Sequence, residues 1–549
     1  MEARPSDAEL AGLSVFRSLG LVVPRHREWW IVGLIALVFG LLAVSPQIVA
    51  LISSGTLHST GLPLTNNIDH PAYLDIIWQA QRGELLFSNS LTAEASPHVQ
   101  LRPLFLVLGW FSAITRLAPA LVWNLSIALA ASLLAIILYL FIAQLFVKCS
   151  ERIFALIVTL TSGGLGWVNL WVPGWWQVTP TDLAIPESNT LHAATCCSHF
   201  SWSQTLLLGI ALLLWFGARR WIWSTVLAGI LSLLLVLDHP YDLPLIALVA
   251  VLALILAIVK KQPVRAALAR VAGAGLGAAL GAGIVWWGLQ ASPQLRQWNG
   301  QNVLPSGPLW PWLLGFGLLL FYALFGVVVK RSWATAILAI WAVAQGVLVF
   351  VPLSFARRLS EGWHIPIALL ATFGILALSR RWSVRIAAAL LVGLFSIALI
   401  SDQWSLSAKA TSQDRVRPFF ELGSWQTYPD SYRQGFDWLR EHYKPQDVVA
   451  SSPTNGGLIV AETGARVVAG HWAQTIDPIT KHAALADLFA ERTTLAEFSQ
   501  RYNVTYLWLA REEQQYLREL GRSERDLVGK RSPVFANHDV SIYELQRQE

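Results

Sequence analysis

The sequence predicts an α-helical polytopic membrane protein that carries a C-terminal α/β domain. Three observations predict it. Of 549 residues, 54% are hydrophobic and only 13% are charged, which is more apolar surface than a soluble chain of this size uses. Apolar runs of about 20 residues, the length a bilayer core demands, recur along the chain. From about residue 402 onward the apolar runs stop and charged residues appear throughout. The formal charge of +6 does not mark a nucleic-acid binder, because the cations sit mostly in short loops between apolar runs, where they set topology.

Taken in order, residues 1–28 form an N-terminal tail whose Arg17, Arg25, His26 and Arg27 place it in the cytoplasm. The first apolar run is long, follows this basic segment and lacks a small-residue cleavage site, so it reads as an anchor that stays. Trp29 and Trp30 mark the interface, and Ile31–Ile52 makes the first crossing. Residues 29–401 form the multi-span body. Its basic turns at Lys148/Arg152, Arg219/Arg220, Lys260–Arg270, Lys330/Arg331 and Arg380–Arg385 are each separated from the next by two apolar runs. All five share the cytoplasmic side if 103–116 is an interfacial or re-entrant helix rather than a crossing. The parity gives about eleven spans, within a range of roughly ten to thirteen.

On this topology the outer loops are 53–118, 173–201, 238–242, 291–308 and 354–363. The first holds Ala72–Gly83, with Tyr73, Ile76, Ile77 and Ala80 at the spacing of an amphipathic helix lying on the membrane. The second is polar and stiffened by Pro180 and Pro186. Residues 402–549 form an extracytoplasmic domain. Tyr432–His442, Pro478–Glu491, Leu495–Tyr502 and Glu512–Leu520 read as helices, Asp447–Ser451 and Val504–Leu509 as strands, and the region near Val534 with Val540–Leu545 as a final β pair. Asn455-Gly456-Gly457 lacks the spacing of a nucleotide fingerprint. Cys149, Cys196 and Cys197 make neither a disulfide framework nor a zinc pattern and read as free or lipidated thiols.

The candidate site residues lie on the outer loops. Asp69 is the first acid beyond the first span, just before the Ala72 helix, where an Asp either caps the helix or serves a site. His70 beside it binds a phosphate oxygen when protonated, or lines the interface. Asp182 and Glu187 are the acids of the second loop. His192 and His199, seven residues apart, do not make a helix-face metal pair and are read as substrate- or phosphate-binding groups, a role that calls for a cation at the phosphate. Asp238, His239 and Asp242 form a polar turn at a span end. Arg357 and Arg358 oppose the sidedness of every other basic turn, so a negative partner is expected there, and a guanidinium fork suits phosphate. Arg102, opening the interfacial helix, is a second phosphate candidate.

Together these features resemble the GT-C class of integral membrane glycosyltransferases. The resemblance rests on an early Asp in the first outer loop, juxtamembrane helices there, a second acid-bearing loop after the third crossing, a multi-span body and an outer C-terminal domain. Leu101-Arg102-Pro103-Leu104 followed by Trp123-Asn124-Leu125-Ser126 is similar in layout to protein mannosyltransferases and lipid A aminoarabinose transferases. The resemblance implies transfer of a hexosyl or pentosyl group from a polyprenyl-phosphate donor to a glycan, lipid or protein acceptor. It assigns Asp69 the base role and Asp182 or Glu187 that of second-loop acid. It also implies a bacterial-type plasma (inner) membrane location. Many members carry two adjacent acids in the first loop, but here Asp69 is followed by His70. That departure favours cationic side chains over a divalent metal at the phosphate; no cofactor is assigned, and a divalent metal stays open as the alternative. A transporter or flippase would instead carry charges along an intramembrane pathway, usually in repeated halves. No internal repeat is apparent. A non-catalytic envelope assembly protein would tolerate loss of Asp69.

Overall fold

A computed structural model describes residues 18–423 and 426–545, so Arg17 and most of the N-terminal tail lie outside the described residues. Among the described residues, eight helices are long and apolar enough to cross a membrane: His26–Ser53, Pro119–Leu145, Ser198–Phe216, Trp221–Asp238, Pro240–Val259, Val264–Ala291, Ala356–Leu378 and Trp382–Thr411. A ninth is broken. Trp310–Phe316 and Leu318–Val329 meet at a 75° bend, and Gly317 takes the turn at φ +44, a conformation that disfavours a side chain. The chain is a multi-pass membrane protein. The expected count of about eleven also includes Cys149–Thr161 and Trp333–Val349, of 13 and 17 residues. At 1.5 Å per residue these reach only about 20 and 26 Å, short of a bilayer core. Pro103–Thr115, expected not to cross, is likewise a 13-residue helix.

The chain divides into two compact units. The first holds residues 1–44, 126–285 and 304–403. Its innermost helix is His364–Leu378, nearly all of it buried, and apolar on every face as a fully enclosed helix must be. It meets Leu318–Val329 at glycines: a side-chain carbon on Gly374 would lie 2.0 Å from the Tyr322 carbonyl oxygen. Small residues thus set how closely two helices pack where lipid gives no hydrophobic drive. Trp215, Trp341 and Phe141 fill the interior at ring distances of 5.5–6.1 Å, and the Trp341 indole N–H donates to Gln345 Oε1 at 2.8 Å.

The second unit holds residues 45–125, 286–303 and 404–549. The first outer loop, read from sequence as part of the membrane body, therefore groups with the C-terminal region. A four-stranded sheet orders Val449–Ala450, Tyr506–Leu509, Ser541–Glu544 and Phe535–Ala536 side by side, the first pair parallel and the others antiparallel. Tyr506–Leu509 is buried at all four positions, as its unbroken apolar run requires of a central strand. Helices Asp430–His442, Pro453–Thr463, Pro478–Phe489, Leu495–Tyr502 and Arg511–Glu519 accompany it.

Loop and C-terminal region are stitched by main chain and by charge. Thr92 bridges Ala469, and Val467 N–H donates to Ser90 at 2.9 Å. Lys481, 2% exposed, reaches Thr92 Oγ1 at 2.6 Å and Glu94 Oε2 at 2.5 Å. Gly456, unassigned by any fingerprint, has a packing reason: a side-chain carbon there would fall 1.9 Å from the Ala469 carbonyl oxygen. That close approach seats residues 469–476 against the Pro453–Thr463 helix.

Candidate functional site

In the second unit, Asp69 sits where the chain turns into the helix His70–Gln81. Asn66 takes the left-handed conformation at φ 56, which Asn tolerates, and its carbonyl accepts from Asp69 N–H at 3.1 Å. The Asp69 side chain does not cap the helix it precedes. Its oxygens are turned elsewhere. Oδ1 lies 2.9 Å from His471 Nε2 and accepts from the Trp472 indole at 3.3 Å, while Oδ2 accepts from Asn66 Nδ2 at 2.8 Å. The carboxylate keeps 21% of its side chain exposed, against 3% for His471. It is aimed yet reachable.

His70 corrects an expectation. It is fully buried, its Nε2 donating to the Thr65 carbonyl at 3.2 Å, with Tyr73 and Trp123 edge-on to its ring. Burial pulls its pKa down to about 4, so near neutrality it carries no charge for a phosphate. Arg102, half-buried, precedes Pro103–Thr115 in the same unit.

In the first unit the second-loop acids separate. Asp182 is 1% exposed, and its Oδ2 accepts from the backbone N–H groups of Gly164 and Gly166 at 3.0 and 3.2 Å. It holds the Gly163–Gly166 segment in place. A side-chain carbon on Gly166 would lie 2.5 Å from Asp182 Oδ1, so the glycine is what lets the acid approach. Burial outweighs these donors and pushes the Asp182 pKa up to about 7. His192 donates from Nδ1 to the Asp182 carbonyl at 2.9 Å. Burial lowers its pKa to about 4, so it too is no cation near pH 7, contrary to the sequence reading.

Glu187 faces charge. Arg358 Nη1 is 3.9 Å from its Oε1, a contact across a gap rather than a hydrogen bond, and the Arg358 guanidinium lies 4.7 Å over the Tyr241 ring. Fully buried Glu361 accepts from Gln204 Nε2 at 2.6 Å. Asp242, also buried, has Oδ2 3.0 Å from His239 Nδ1 without the alignment a hydrogen bond needs. His199 stands beside Phe200 and His239, at ring distances of 4.3 and 6.0 Å. It lines this cluster from the start of Ser198–Phe216. Arg357 has a buried Nε that donates no hydrogen bond among the described residues.

An apolar groove of about 650 Å³ lies in the same unit, lined among others by Trp312, Phe316, Val343, Val347, Phe350 and Trp363. Among the described residues, no three His, Cys, Asp or Glu side chains are grouped to hold a metal ion. Both Asp69 oxygens already accept from N–H donors, which a divalent ion would have to displace. The residues present do not fit a divalent metal at Asp69.

Sequence reasoning missed His471, Trp472 and Gln204. His471 stands 402 positions from Asp69, and no local spacing links them.

Asp182 carries a test of its own. In the unfolded chain it ionises near 3.8, in the fold at about 7, so its contribution to stability falls as pH rises through that window and is level above it. Asp182→Asn keeps an acceptor for Gly164 and Gly166 and removes the titration. The variant's melting temperature, relative to the parent's, is expected to rise between pH 4 and 7. Taking the difference removes the opposite pH response of buried His70 and His192.

No family model matches the chain, and no curated protein matches it in sequence. Solved structures do match. The arabinofuranosyltransferase AftD from Mycobacteria superposes with a TM-score of 0.58 at 14% identity, over 96% of this chain and 40% of its own. ArnT from Cupriavidus metallidurans in the apo state gives 0.52 at 10% identity, over 92% of this chain and 97% of its own. The same protein bound to undecaprenyl phosphate gives 0.50 at 11% identity with the same coverage. These are GT-C glycosyltransferases, and the fold of this chain is the GT-C fold.

Proposed function

We propose that the chain moves a sugar from a polyprenyl-phosphate donor to a hydroxyl acceptor at the extracytoplasmic membrane face, with Asp69 as general base. The observation that carries this reading is the state of Asp69. It is a partly exposed carboxylate on the first loop, turned away from its helix and aimed by His471, Trp472 and Asn66. In the step itself, the acceptor oxygen attacks C1 of the donor sugar. The C1–O bond to phosphate breaks, and polyprenyl phosphate leaves with the electron pair. The acceptor proton passes to Asp69 and then to solvent. Such an oxocarbenium-like transition state needs a base late and cations at the leaving group throughout.

Arg357, whose buried Nε donates no hydrogen bond among the described residues, is the better phosphate group of the pair, because Arg358 already faces Glu187. Arg102 is a helper in this proposal, and Glu187 is the second-loop acid. The apolar groove has the character a prenyl tail requires. That ArnT has been solved with undecaprenyl phosphate supports this class of donor. The proposal also places residues 53–118 and 402–549 outside a bacterial-type inner membrane.

The test is a transfer assay with purified protein and a membrane lipid extract whose polyprenyl-phosphate sugars carry label in the sugar. Label is expected to leave the organic-soluble donor for the acceptor fraction, with polyprenyl phosphate released. Label that stays in the donor while the protein is folded would favour a transporter or an assembly protein.

A further inference from the structure

The sequence places His471 and Trp472 in a short loop, Gly470-His471-Trp472-Ala473, that bears none of the usual marks of a site. The structure gives the loop unusual support. Gly470 and His471 N–H groups both donate to Thr475 Oγ1 at 3.1 Å, and Thr475 Oγ1 donates to the Leu91 carbonyl at 2.8 Å. Ile476 N–H donates to Thr92 Oγ1 at 3.1 Å. The loop is therefore pinned at both ends to the strand-like segment 90–92 of the first outer loop.

The His471 ring is oriented from the other side. Its Nδ1 accepts from Ala473 N–H at 3.0 Å and from Gln474 N–H at 2.9 Å. A nitrogen that accepts two amide donors carries no hydrogen, so the ring hydrogen sits at Nε2. That hydrogen points at Asp69 Oδ1, 2.9 Å away. Trp472, next in the chain, adds its indole N–H to the same oxygen at 3.3 Å.

We propose that the His471-Trp472 pair is the positioning device for Asp69, fixing through two N–H donors on Oδ1 which carboxylate lone pairs remain for the acceptor hydroxyl. The device rests on the reading of Asp69 as base, and the pair acts through the Asp69 carboxylate. It has a consequence for the turnover of a correctly folded enzyme. A carboxylate loose by about an ångström loses on the order of 10²-fold in rate, with substrate binding little changed.

Two substitutions of one ring separate the two jobs it does. Asn at 471 places an amide oxygen near the position of Nδ1, so it keeps the acceptor for Ala473 and Gln474 but is too short to reach Asp69. Gln at 471 places an amide N–H near the position of Nε2 and keeps the donor. His471→Asn is expected to lower kcat about 10–100-fold with the KM for the lipid donor within about twofold. His471→Gln is expected to stay within a few-fold of the parent. Trp472→Phe, at a more exposed position, removes the second donor without disturbing the loop and is expected to lower kcat about 3–10-fold.

The readouts are kcat and KM in the labelled-lipid transfer assay, beside melting temperatures for each variant. In an Asp69→Asn background, His471→Asn should have no further effect on the residual rate. Parent-like kcat in both His471→Asn and Trp472→Phe would overturn the proposal. So would equal loss in His471→Asn and His471→Gln at parent-like melting temperatures, or an additive loss in the double variant. If Asp69→Asn itself transfers at the parent rate, the base reading fails first, and the two failures are told apart.

Discussion

Asp69→Asn is expected to slow sugar transfer by about 10²–10⁴-fold, the range for loss of a positioned general base, while the melting temperature moves by no more than a few degrees. The stability half of this expectation follows from the geometry. Asp69 caps no helix, so no cap is lost. An amide oxygen at the place of Oδ1 still accepts from His471 and Trp472, and Asn66 can turn its own amide to present oxygen to the new N–H. What disappears is the anion. Initial rates in the labelled-lipid assay beside thermal unfolding check both halves. Transfer at the parent rate would leave Asp69 a structural tie between the first loop and residues 471–472.

Arg358→Ala is expected to be the most destabilising single change at the site, by about 3–5 kcal/mol, the usual penalty for stranding a buried charge. A place on an outer loop would by itself suggest the opposite, a solvated arginine removable without harm to the fold. Its side chain is instead 15% exposed and faces Glu187, itself 3% exposed, with buried Glu361 and Asp242 in the same cluster. Removing the cation leaves the Glu187 carboxylate buried without its counter-charge, and the guanidinium's stacking on Tyr241 is lost as well. Neutralising Glu187 in the same chain should recover part of the loss, so Arg358→Ala/Glu187→Gln is expected to melt above Arg358→Ala alone. Arg357→Ala should keep the fold and weaken polyprenyl-phosphate binding. Equal melting of parent and Arg358→Ala would mean that the acids in this cluster are already neutral or solvated.

How much of this is legible in the sequence depends on the range of the interaction. The membrane class is written in composition and in apolar runs, because a bilayer imposes one length on every crossing. The short helix at Pro103–Thr115 can be read from parity, and the strand Tyr506–Leu509 from its unbroken apolar run. Asp69, Asp182 and Glu187 are visible as acids on polar loops. Their division of labour is not. That Asp182 ties two glycine amides while Glu187 faces an arginine is decided by which loop packs against which. His70 and His192 resemble cations because both sit in polar sequence, yet burial removes the charge that a phosphate would need. His471 is illegible altogether. Its meaning lies in a contact between the first outer loop and the C-terminal region, and no periodicity reports a contact of that span.

A single carboxylate base acting in one displacement at the sugar's C1 has a stereochemical signature. A donor of known anomeric configuration, labelled in the sugar and carried on polyprenyl phosphate, is turned over by the purified protein, and the anomeric configuration of the product linkage is assigned by NMR. Inversion is expected, because one base and one attacking oxygen reverse the configuration. Retention would require a second nucleophile and a covalent sugar intermediate, and is incompatible with Asp69 as the general base of a single displacement.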